Sequence, residues 1–222
     1  MIKSSTIKFL KDLKVNNNRP WFEEHRNSFN EAKEDFESFI QQVIDKTALF
    51  DPHIIELKAK DCTFRQYRDV RFSKDKRPYK VNMGAYMAKG GKKSLFGGYY
   101  FHLEPVKSLV GGGLWMPMPP EMKKVRQEID YCFPEFKKLI STKIFKNIYK
   151  DLEHEGEGIK LKNVPKGYEA DNPAVEYLKL KSFFADRPLS DKEILSPSLL
   201  KEIIDSFKAL KPVVDFINRA VE

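Results

Sequence analysis

The sequence predicts an α+β protein, with a central antiparallel sheet or partial barrel flanked by N-terminal and C-terminal helices. Apolar residues recur at helical spacing near both ends of the chain, whereas residues 60–117 hold short aromatic and β-branched runs separated by turn residues. These runs follow one another closely, which favours antiparallel pairing because a parallel crossover needs more chain. At 222 residues the chain is long enough for one sizeable core, so we predict a single domain over residues 1–222.

The N-terminal helices are predicted within residues 4–50. Ser4-Ser5-Thr6 offers a cap for a short helix, which Asn16-Asn17-Asn18 ends because Asn favours caps and turns. Asn18 is predicted to cap the next helix, with Pro20 in its first turn. From residue 21 to about residue 49 the apolar residues recur at helical spacing, which predicts one long amphipathic helix.

The sheet is predicted within residues 60–117. Its four strands are residues 63–67, 81–87, 98–103 and 109–116. The sequence Glu104-Pro105-Val106-Lys107 is typical of a hairpin connection. Gly111-Gly112-Gly113 indicates either a bulge or a place where a ligand approaches the backbone, and the bulge is the simpler interpretation.

The C-terminal helices are predicted within residues 119–222. Pro119-Pro120 opens one helix, and Pro134 opens another that runs to Phe145. Residues 154–172 are predicted to form an exposed loop. Ser190 and Glu193 are spaced as a capping box, and Ser196-Pro197 starts the final helix, which Pro212 is expected to kink.

Composition excludes several classes of protein. The 41% content of hydrophobic residues excludes a disordered chain, and no run approaches the ~20 apolar residues that span a bilayer. The N-terminus lacks the apolar stretch of a signal peptide, so we predict a cytoplasmic location and no membrane partner. Cys62 and Cys132 give no zinc or disulfide pattern, and the four histidines lack ligand spacing. No metal and no cofactor are predicted.

The excess positive charge is localised. Residues 60–93 hold eleven Lys or Arg residues against three Asp, whereas the rest of the chain holds 29 basic and 29 acidic residues. A localised excess of one sign indicates a site or a patch, where uniform basicity would indicate nonspecific attraction.

This segment is predicted to bind an anion. Arg65 and Tyr67 would share one face of a strand, and a helical turn over residues 68–72 would place Arg68 and Arg71 on one side. Guanidinium forks bind carboxylate or phosphate in bidentate fashion, and Lys residues add point charge. The cations expected to converge are Arg65, Arg68, Arg71, Lys74, Lys76 and Lys80. We expect Asp69 and Asp75 to orient them, and Tyr67 and Tyr79 to donate hydrogen bonds.

Three other interpretations stay open. The segment is also typical of a solvated loop with Asp–Arg pairs. Residues 65–93 would alternatively form a nucleic-acid face, with aromatic side chains as stacking platforms. They would otherwise dock an acidic partner protein. If the ligand is a substrate, His102 and Glu104 are the best acid–base candidates, because two residues two apart on a strand point the same way.

One family resemblance rests on specific residues. They are Asn17-Asn18-Arg19-x-Trp21-Phe22, Arg26, Phe64-Arg65, the run from Arg68 to Lys80 (RDVRFSKDKRPYK), Tyr99-x-x-His102-Leu103 and Gly111-x-Gly113. The chain resembles a widespread bacterial family, with fungal relatives, that is known only as a domain of unknown function. The resemblance spans nearly the whole chain and departs from the motif at Pro20, where an acidic or polar residue is usual. It implies a shared domain and a shared site region, and no reaction.

Overall fold

The computed structural model describes residues 1–154, 156 and 158–222, which form an α+β fold with helices at both ends of the chain. The helices are α1 (Ser4–Val15), α2 (Arg19–Glu24), α3 (Arg26–Thr47), α4 (Ala59–Cys62), α5 (Pro119–Tyr131), α6 (Phe133–Ile140), α7 (Lys143–Tyr149), α8 (Val175–Leu178), α9 (Asp191–Ile194) and α10 (Leu199–Val221), with a 3₁₀ turn at Pro52–Ile54. The strands are β1 (Met83–Met87), β2 (Gly98–Leu103), β3 (Ser108–Leu114) and β4 (Phe183–Leu189).

The four strands form one antiparallel sheet in the order β1-β2-β3-β4. The sheet is not closed into a barrel. β4 was not predicted. It carries Asp186, Arg187 and Pro188, which weaken the strand pattern, and it lies at an edge of the sheet, where a proline costs no ladder hydrogen bond.

The predicted strand at residues 63–67 is wrong. This stretch runs beside residues 79–85 through two isolated bridges, Thr63 with Ala85 and Tyr67 with Tyr79. Between the bridges the side-chain amide of Gln66 donates to the carbonyls of Lys80 and Asn82. A side chain that donates hydrogen bonds to backbone carbonyls competes with the hydrogen bonds of a regular strand pair, so the pairing is interrupted.

The long N-terminal helix is also divided. α2 ends at Glu24 and α3 begins at Arg26, because His25 has φ −101° and ψ 21°. The His25 ring stacks on Trp21 at 4.1 Å, and its Nδ1 lies 2.9 Å from the Trp21 carbonyl. The cap at Asn18 is confirmed, since its side chain accepts the N–H of Trp21.

In the C-terminal part, the helix predicted from Pro134 to Phe145 is two helices. α6 ends at Ile140, and Thr142 caps α7 by accepting the N–H of Phe145. The capping box of Ser190 and Glu193 is confirmed, and α10 continues past Pro212. The described residues between 154 and 172 belong to no helix or strand, as predicted.

The described residues group into two compact units. The first unit is Met1–Lys92, Tyr100–Val110 and Pro188–Ile204, and the second is Lys93–Tyr99, Gly111–Arg187 and Asp205–Glu222. The strands β2, β3 and β4 and the helix α10 each supply residues to both. A single domain over residues 1–222 therefore stays our prediction, and each unit is described by itself.

In the first unit, α3 packs on β2. Phe36 and Phe39 place their ring centroids 6.0 and 5.7 Å from that of Phe101, and all three rings are buried. Burying rings of this size is the main stabilising contribution of such a layer. The inward side of β2 is thus apolar, which leaves the alternate residues of the strand for the opposite face.

In the second unit, the ring of Tyr99 packs on Phe207 of α10 at 4.7 Å, and Phe136 of α6 packs on Phe216 at 5.3 Å. The three glycines lie within β3. A Cβ on Gly112 would collide with the Gly98 carbonyl and the Leu210 side chain, and Gly113 has φ +121°. Only glycine tolerates both conditions, so these residues permit close packing around β3. Among the described residues, no helix is long and apolar enough to cross a bilayer.

Candidate functional site

The end of the basic segment is held rigidly in the first unit. The side chain of Asn17 donates to the Tyr79 carbonyl at 3.0 Å and accepts the Tyr79 N–H at 3.1 Å. The Tyr79 ring, only 2% exposed, stacks on Phe22 at 3.9 Å with an interplanar angle of 10°. Lys80 follows directly, so its backbone is fixed by the clamp on one side and by Gln66 on the other.

Residues 68–77 form a loop in which each arginine donates to an aspartate of the same loop. Asp75 accepts from Arg68 Nη1 at 2.6 Å and from Arg77 Nη2 at 2.8 Å. Asp69 accepts from Arg71 through two bonds of 3.0 and 2.7 Å. The Arg77 guanidinium lowers the pKa of Asp75 strongly, and Arg71 lowers that of Asp69.

The helical turn predicted over residues 68–72 is absent, and the aspartates explain why. The Asp69 side chain accepts the backbone N–H of Arg71 at 3.2 Å, and Asp75 accepts that of Arg77 at 3.0 Å. Each is an Asx turn, which replaces helical hydrogen bonding. Arg68 and Arg71 consequently differ in environment, since their side chains are 24% and 76% exposed.

Two lysines of the loop also lie at its surface. Lys76 Nζ donates to the Val70 carbonyl at 3.0 Å, and the exposed Lys74 forms no ion pair with any residue that the structure describes. Phe72 is 96% exposed, and the Arg71 guanidinium carbon lies 5.8 Å from its ring centroid. The loop thus presents an unpacked aromatic ring beside a cation.

Arg65 and Lys80 form a second and different group of cations. Lys80 is half-buried, with its ammonium nitrogen 5.4 Å from the ring centroid of Phe64. Burial, and then the charge of Arg65, lower the pKa of Lys80. Neither cation makes an ion pair with a carboxylate in the described part of the chain. Lys80 is therefore a half-buried cation without an ion-pair partner among the described residues, whereas the charge of the exposed Arg65 acts on Asp69 and helps to lower the pKa of that carboxyl.

A line of hydrogen-bonded side chains runs along β2. His102 Nε2 lies 3.1 Å from Glu104 Oε2, and His102 Nδ1 lies 2.9 Å from the Tyr100 hydroxyl. Because a carboxylate only accepts, the proton of a neutral imidazole is on Nε2, and Nδ1 accepts from Tyr100. Burial, and then Glu104, raise the pKa of Tyr100 to about 12, so its phenol stays protonated at neutral pH.

Lys80 and this line meet on one face, and Arg65 lies close enough to Lys80 for its charge to help lower the pKa of that ammonium. The rings of Phe64 and Tyr100 are in edge contact at 6.5 Å, and Lys80 lies over the same Phe64 ring. On the other side, Asn82 Nδ2 lies 3.4 Å from His102 Nδ1. We call the residues Phe64, Arg65, Lys80, Asn82, Tyr100, His102 and Glu104 the β2 face. It combines positive charge with groups that can hold and pass a proton.

The two tyrosines of the basic segment contact residues of α2 and α3. Arg26 is hydrogen-bonded to both Glu23 and Tyr67, which raises its pKa. Burial, and then Tyr67, raise the pKa of Tyr79, whose ring belongs to the core. Their role as ligand donors stays a prediction.

Sequence reasoning missed several members of the β2 face. The alternation that paired His102 with Glu104 extends back to Tyr100, so the sequence could have predicted that Tyr100 shares their face. No sequence pattern could have predicted the position of Asn82 or the clamp by Asn17, because each depends on contacts between distant parts of the chain. Burial raises the pKa of Cys62 to about 12, so its thiol is not a nucleophile at neutral pH. The described residues hold no group of His, Cys, Asp and Glu side chains suited to a metal.

Comparison with known families matches residues 5–216 to one family, described as a conserved hypothetical protein (DUF2461). Neither the curated proteins nor the solved structures contain a match to the chain.

Proposed function

The chain belongs to the DUF2461 family of conserved hypothetical proteins, and we propose that it binds a small molecule bearing a phosphate or carboxylate at the β2 face. The observation that carries the proposal is the half-buried, uncompensated ammonium of Lys80 beside Arg65. Removing a charge from water without a partner is costly, and a bound anion would offset that cost. The partly apolar surroundings of Phe64 strengthen the attraction.

The proposal assigns different roles to the two groups of cations. Lys80 and Arg65 bind the anion, whereas Arg68, Arg71 and Arg77 shape the loop through Asp69 and Asp75. For a ligand that reacts, His102 is the acid–base group, since Glu104 orients its ring and Tyr100 donates to Nδ1. Binding itself requires only the cations.

A second candidate function is nucleic-acid binding by the loop of residues 68–77. Its support is Phe72, which is 96% exposed beside Arg71, an arrangement suited to stacking an unpaired base. This candidate predicts affinity that falls steeply with salt, because counterions are released. The two candidates use different residues and are therefore separable.

We also propose that the protein acts in the cytoplasm. Cys62 and Cys132 are free thiols, and a chain with unpaired thiols suits a reducing compartment.

The test of anion binding is thermal unfolding in sodium phosphate and in sodium chloride of equal ionic strength at pH 7. At phosphate about one hundred times its Kd, the expected stabilisation is about 2.7 kcal/mol, which raises Tm by roughly 5–10 °C for a chain of this length. Lys80→Met should lose this increment. Lys74→Met removes the same charge from the exposed loop and should keep it.

The comparison of these variants removes a general salt effect, since phosphate stabilises many proteins by exclusion from their surface. That effect is equal in both variants. If phosphate stabilises Lys80→Met as much as Lys74→Met, the β2 face does not bind the anion. Fluorescence anisotropy of a labelled oligonucleotide with Phe72→Ala tests the second candidate, which requires a loss of affinity in that variant.

A further inference from the structure

The second unit contains a cleft of about 820 Å³ that the proposed function does not use. One wall is a single face of α5, whose lining residues recur at intervals of three and four. The facing wall comes from the loop after residue 160 and from the residues beside β4. The lining residues are Met116, Pro117, Pro119, Met122, Lys123, Arg126, Gln127, Asp130, Tyr131, Leu161, Pro165, Lys166, Gly167, Tyr168 and Lys181. Ligand pockets commonly have volumes of roughly 300–1,000 Å³.

Arg126 is the residue that distinguishes this cleft from a surface groove. Its Nη2 donates to the Leu180 carbonyl at 3.0 Å, while its Nε is buried and has no hydrogen-bond partner among the described residues. It also forms no ion pair with a carboxylate of the described chain. A guanidinium placed there without an anion is unfavourable, and burial lowers its pKa accordingly.

The side chains that line the cleft include more cations than carboxylates. Lys123, Lys166 and Lys181 join Arg126, and Asp130 is the one carboxylate among the lining residues that the structure describes. The carboxylate of Asp130 already accepts from Asn172 Nδ2 at 2.6 Å. The cleft therefore has net positive charge that its own side chains do not neutralise.

The remaining surface of the cleft is apolar and aromatic. Met116 and Met122 are flexible side chains that adapt to a ligand's shape, and the rings of Tyr131 and Tyr168 offer flat faces. Tyr131 is 75% exposed and Met116 is 44% exposed, so both side chains are accessible to a ligand in the cleft. A ligand lying between these side chains would cover them.

We propose that this cleft binds an organic anion with a flat apolar body, with Arg126 holding the anionic group and the methionines and tyrosines covering the body. The class includes aromatic carboxylates, sulfonates and phosphates. A purely inorganic anion would leave the apolar surface exposed, and a neutral aromatic molecule would leave Arg126 unpaired. The inference concerns the second unit alone and does not depend on the β2 face.

The probe for the test is 1-anilinonaphthalene-8-sulfonate, which joins an aromatic body to a sulfonate. Its fluorescence should rise with saturation at one molecule per chain, and Arg126→Met should weaken binding at least tenfold. The neutral analogue N-phenyl-1-naphthylamine should bind weakly, with equal affinity for the wild type and Arg126→Met. Lys143→Met removes an exposed cation outside the cleft and should leave the affinity unchanged.

The location is checked by energy transfer. The chain has two tryptophans, so Trp21→Phe leaves Trp115, which adjoins the lining residue Met116, as the donor. Transfer from Trp115 to the bound probe is expected, and its loss in Arg126→Met should parallel the loss of affinity. Near-UV circular dichroism establishes that the variant is folded, and Lys166→Met on the exposed loop provides a second, milder variant with several-fold weaker binding.

Two results would overturn the proposal. One is equal affinity of the sulfonate probe for the wild type and for folded Arg126→Met. The other is absence of saturable binding to the wild type. The phosphate experiment at Lys80 and this one have separate readouts, so the failure of either leaves the other standing.

Discussion

Two groups of cations in the first unit differ in whether their charges are paired with carboxylates. In the loop of residues 68–77, Arg68, Arg71 and Arg77 each donate to an aspartate of the same loop. On the β2 face, Arg65 and Lys80 form no ion pair with a carboxylate of the described chain, although Lys80 is the more buried of the two. The difference teaches that cation density along the sequence does not show which cations lack a carboxylate partner, and it is such cations that our proposal assigns to anion binding.

The first prediction concerns Asn17, whose side chain anchors the backbone between the loop of residues 68–77 and Lys80. Asn17→Ala removes two hydrogen bonds to the backbone of Tyr79, whose surroundings are buried. Leaving the Tyr79 N–H and carbonyl without these partners should lower the free energy of unfolding by about 2–4 kcal/mol. We also expect weaker stabilisation by phosphate, because Lys80 follows Tyr79 directly. Urea denaturation with and without phosphate measures both effects.

The neighbouring Asn18→Ala is the matched control. It removes only a helix cap and should cost about 1 kcal/mol, with phosphate binding unchanged. Equal losses in the two variants would show that Asn17 does not fix the β2 face.

The same titrations test the single domain, since Trp21 and Trp115 belong to different units and one cooperative domain requires coincident transitions.

The helices show what a sequence can reveal about this fold. Helical periodicity identified α1, and local capping residues identified the cap at Asn18 and the box at Ser190, because each depends on contacts within a few residues. The cap predicted at Ser4-Ser5-Thr6 is wrong, since the N-cap of α1 is Lys3 and makes no side-chain cap hydrogen bond. The break at His25 was not predicted, because stacking of its ring on Trp21 leaves the pattern of apolar residues unchanged. Strand β4 was not predicted because Asp186, Arg187 and Pro188 weaken the sequence pattern of an edge strand.

The site was predictable only in part, for a similar reason. Alternation along β2 put His102 and Glu104 side by side, and their side chains lie 3.1 Å apart. The pairing of Asp69 and Asp75 with loop arginines was one of four interpretations, because a spacing of two residues suits both an Asx turn and an open site. Whether a carboxylate lies near Lys80 depends on distant segments of the chain, so no local sequence pattern could predict that none does.

The second prediction concerns the ion-paired loop of residues 68–77. Asp75→Asn keeps an oxygen that accepts the Arg77 N–H, so the turn should persist, but it removes the charge shared by Arg68 and Arg77. We expect several-fold tighter binding of single-stranded oligothymidylate and a salt slope steeper by about one. Phosphate stabilisation through Lys80 should not change. Anisotropy titrations at several salt concentrations measure the slope.

Asp12→Asn is the control for this change, since Asp12 pairs with Lys8 on α1, outside the basic segment. It alters the net charge equally and should leave the slope as it is in the wild type. If Asp75→Asn and Asp12→Asn behave alike, the loop aspartates do not suppress polyanion binding, and the contrast between the two groups of cations fails.

The smallest expected effect is the pH dependence that Lys80 confers. Because its pKa is lowered in the folded protein, the unfolded chain binds more protons between that lowered pKa and the ordinary value of 10.5. The ligand-free protein should therefore gain a little stability as the pH rises through this window. Phosphate binding needs the charged ammonium, so its stabilising increment should fall over the same window. Lys80→Arg, which stays charged, should keep the increment to higher pH, whereas Lys80→Met should show neither trend. Thermal unfolding from pH 7 to 10.5 measures both slopes, and a phosphate increment that declines identically in the wild type and Lys80→Arg would place the titrating group elsewhere.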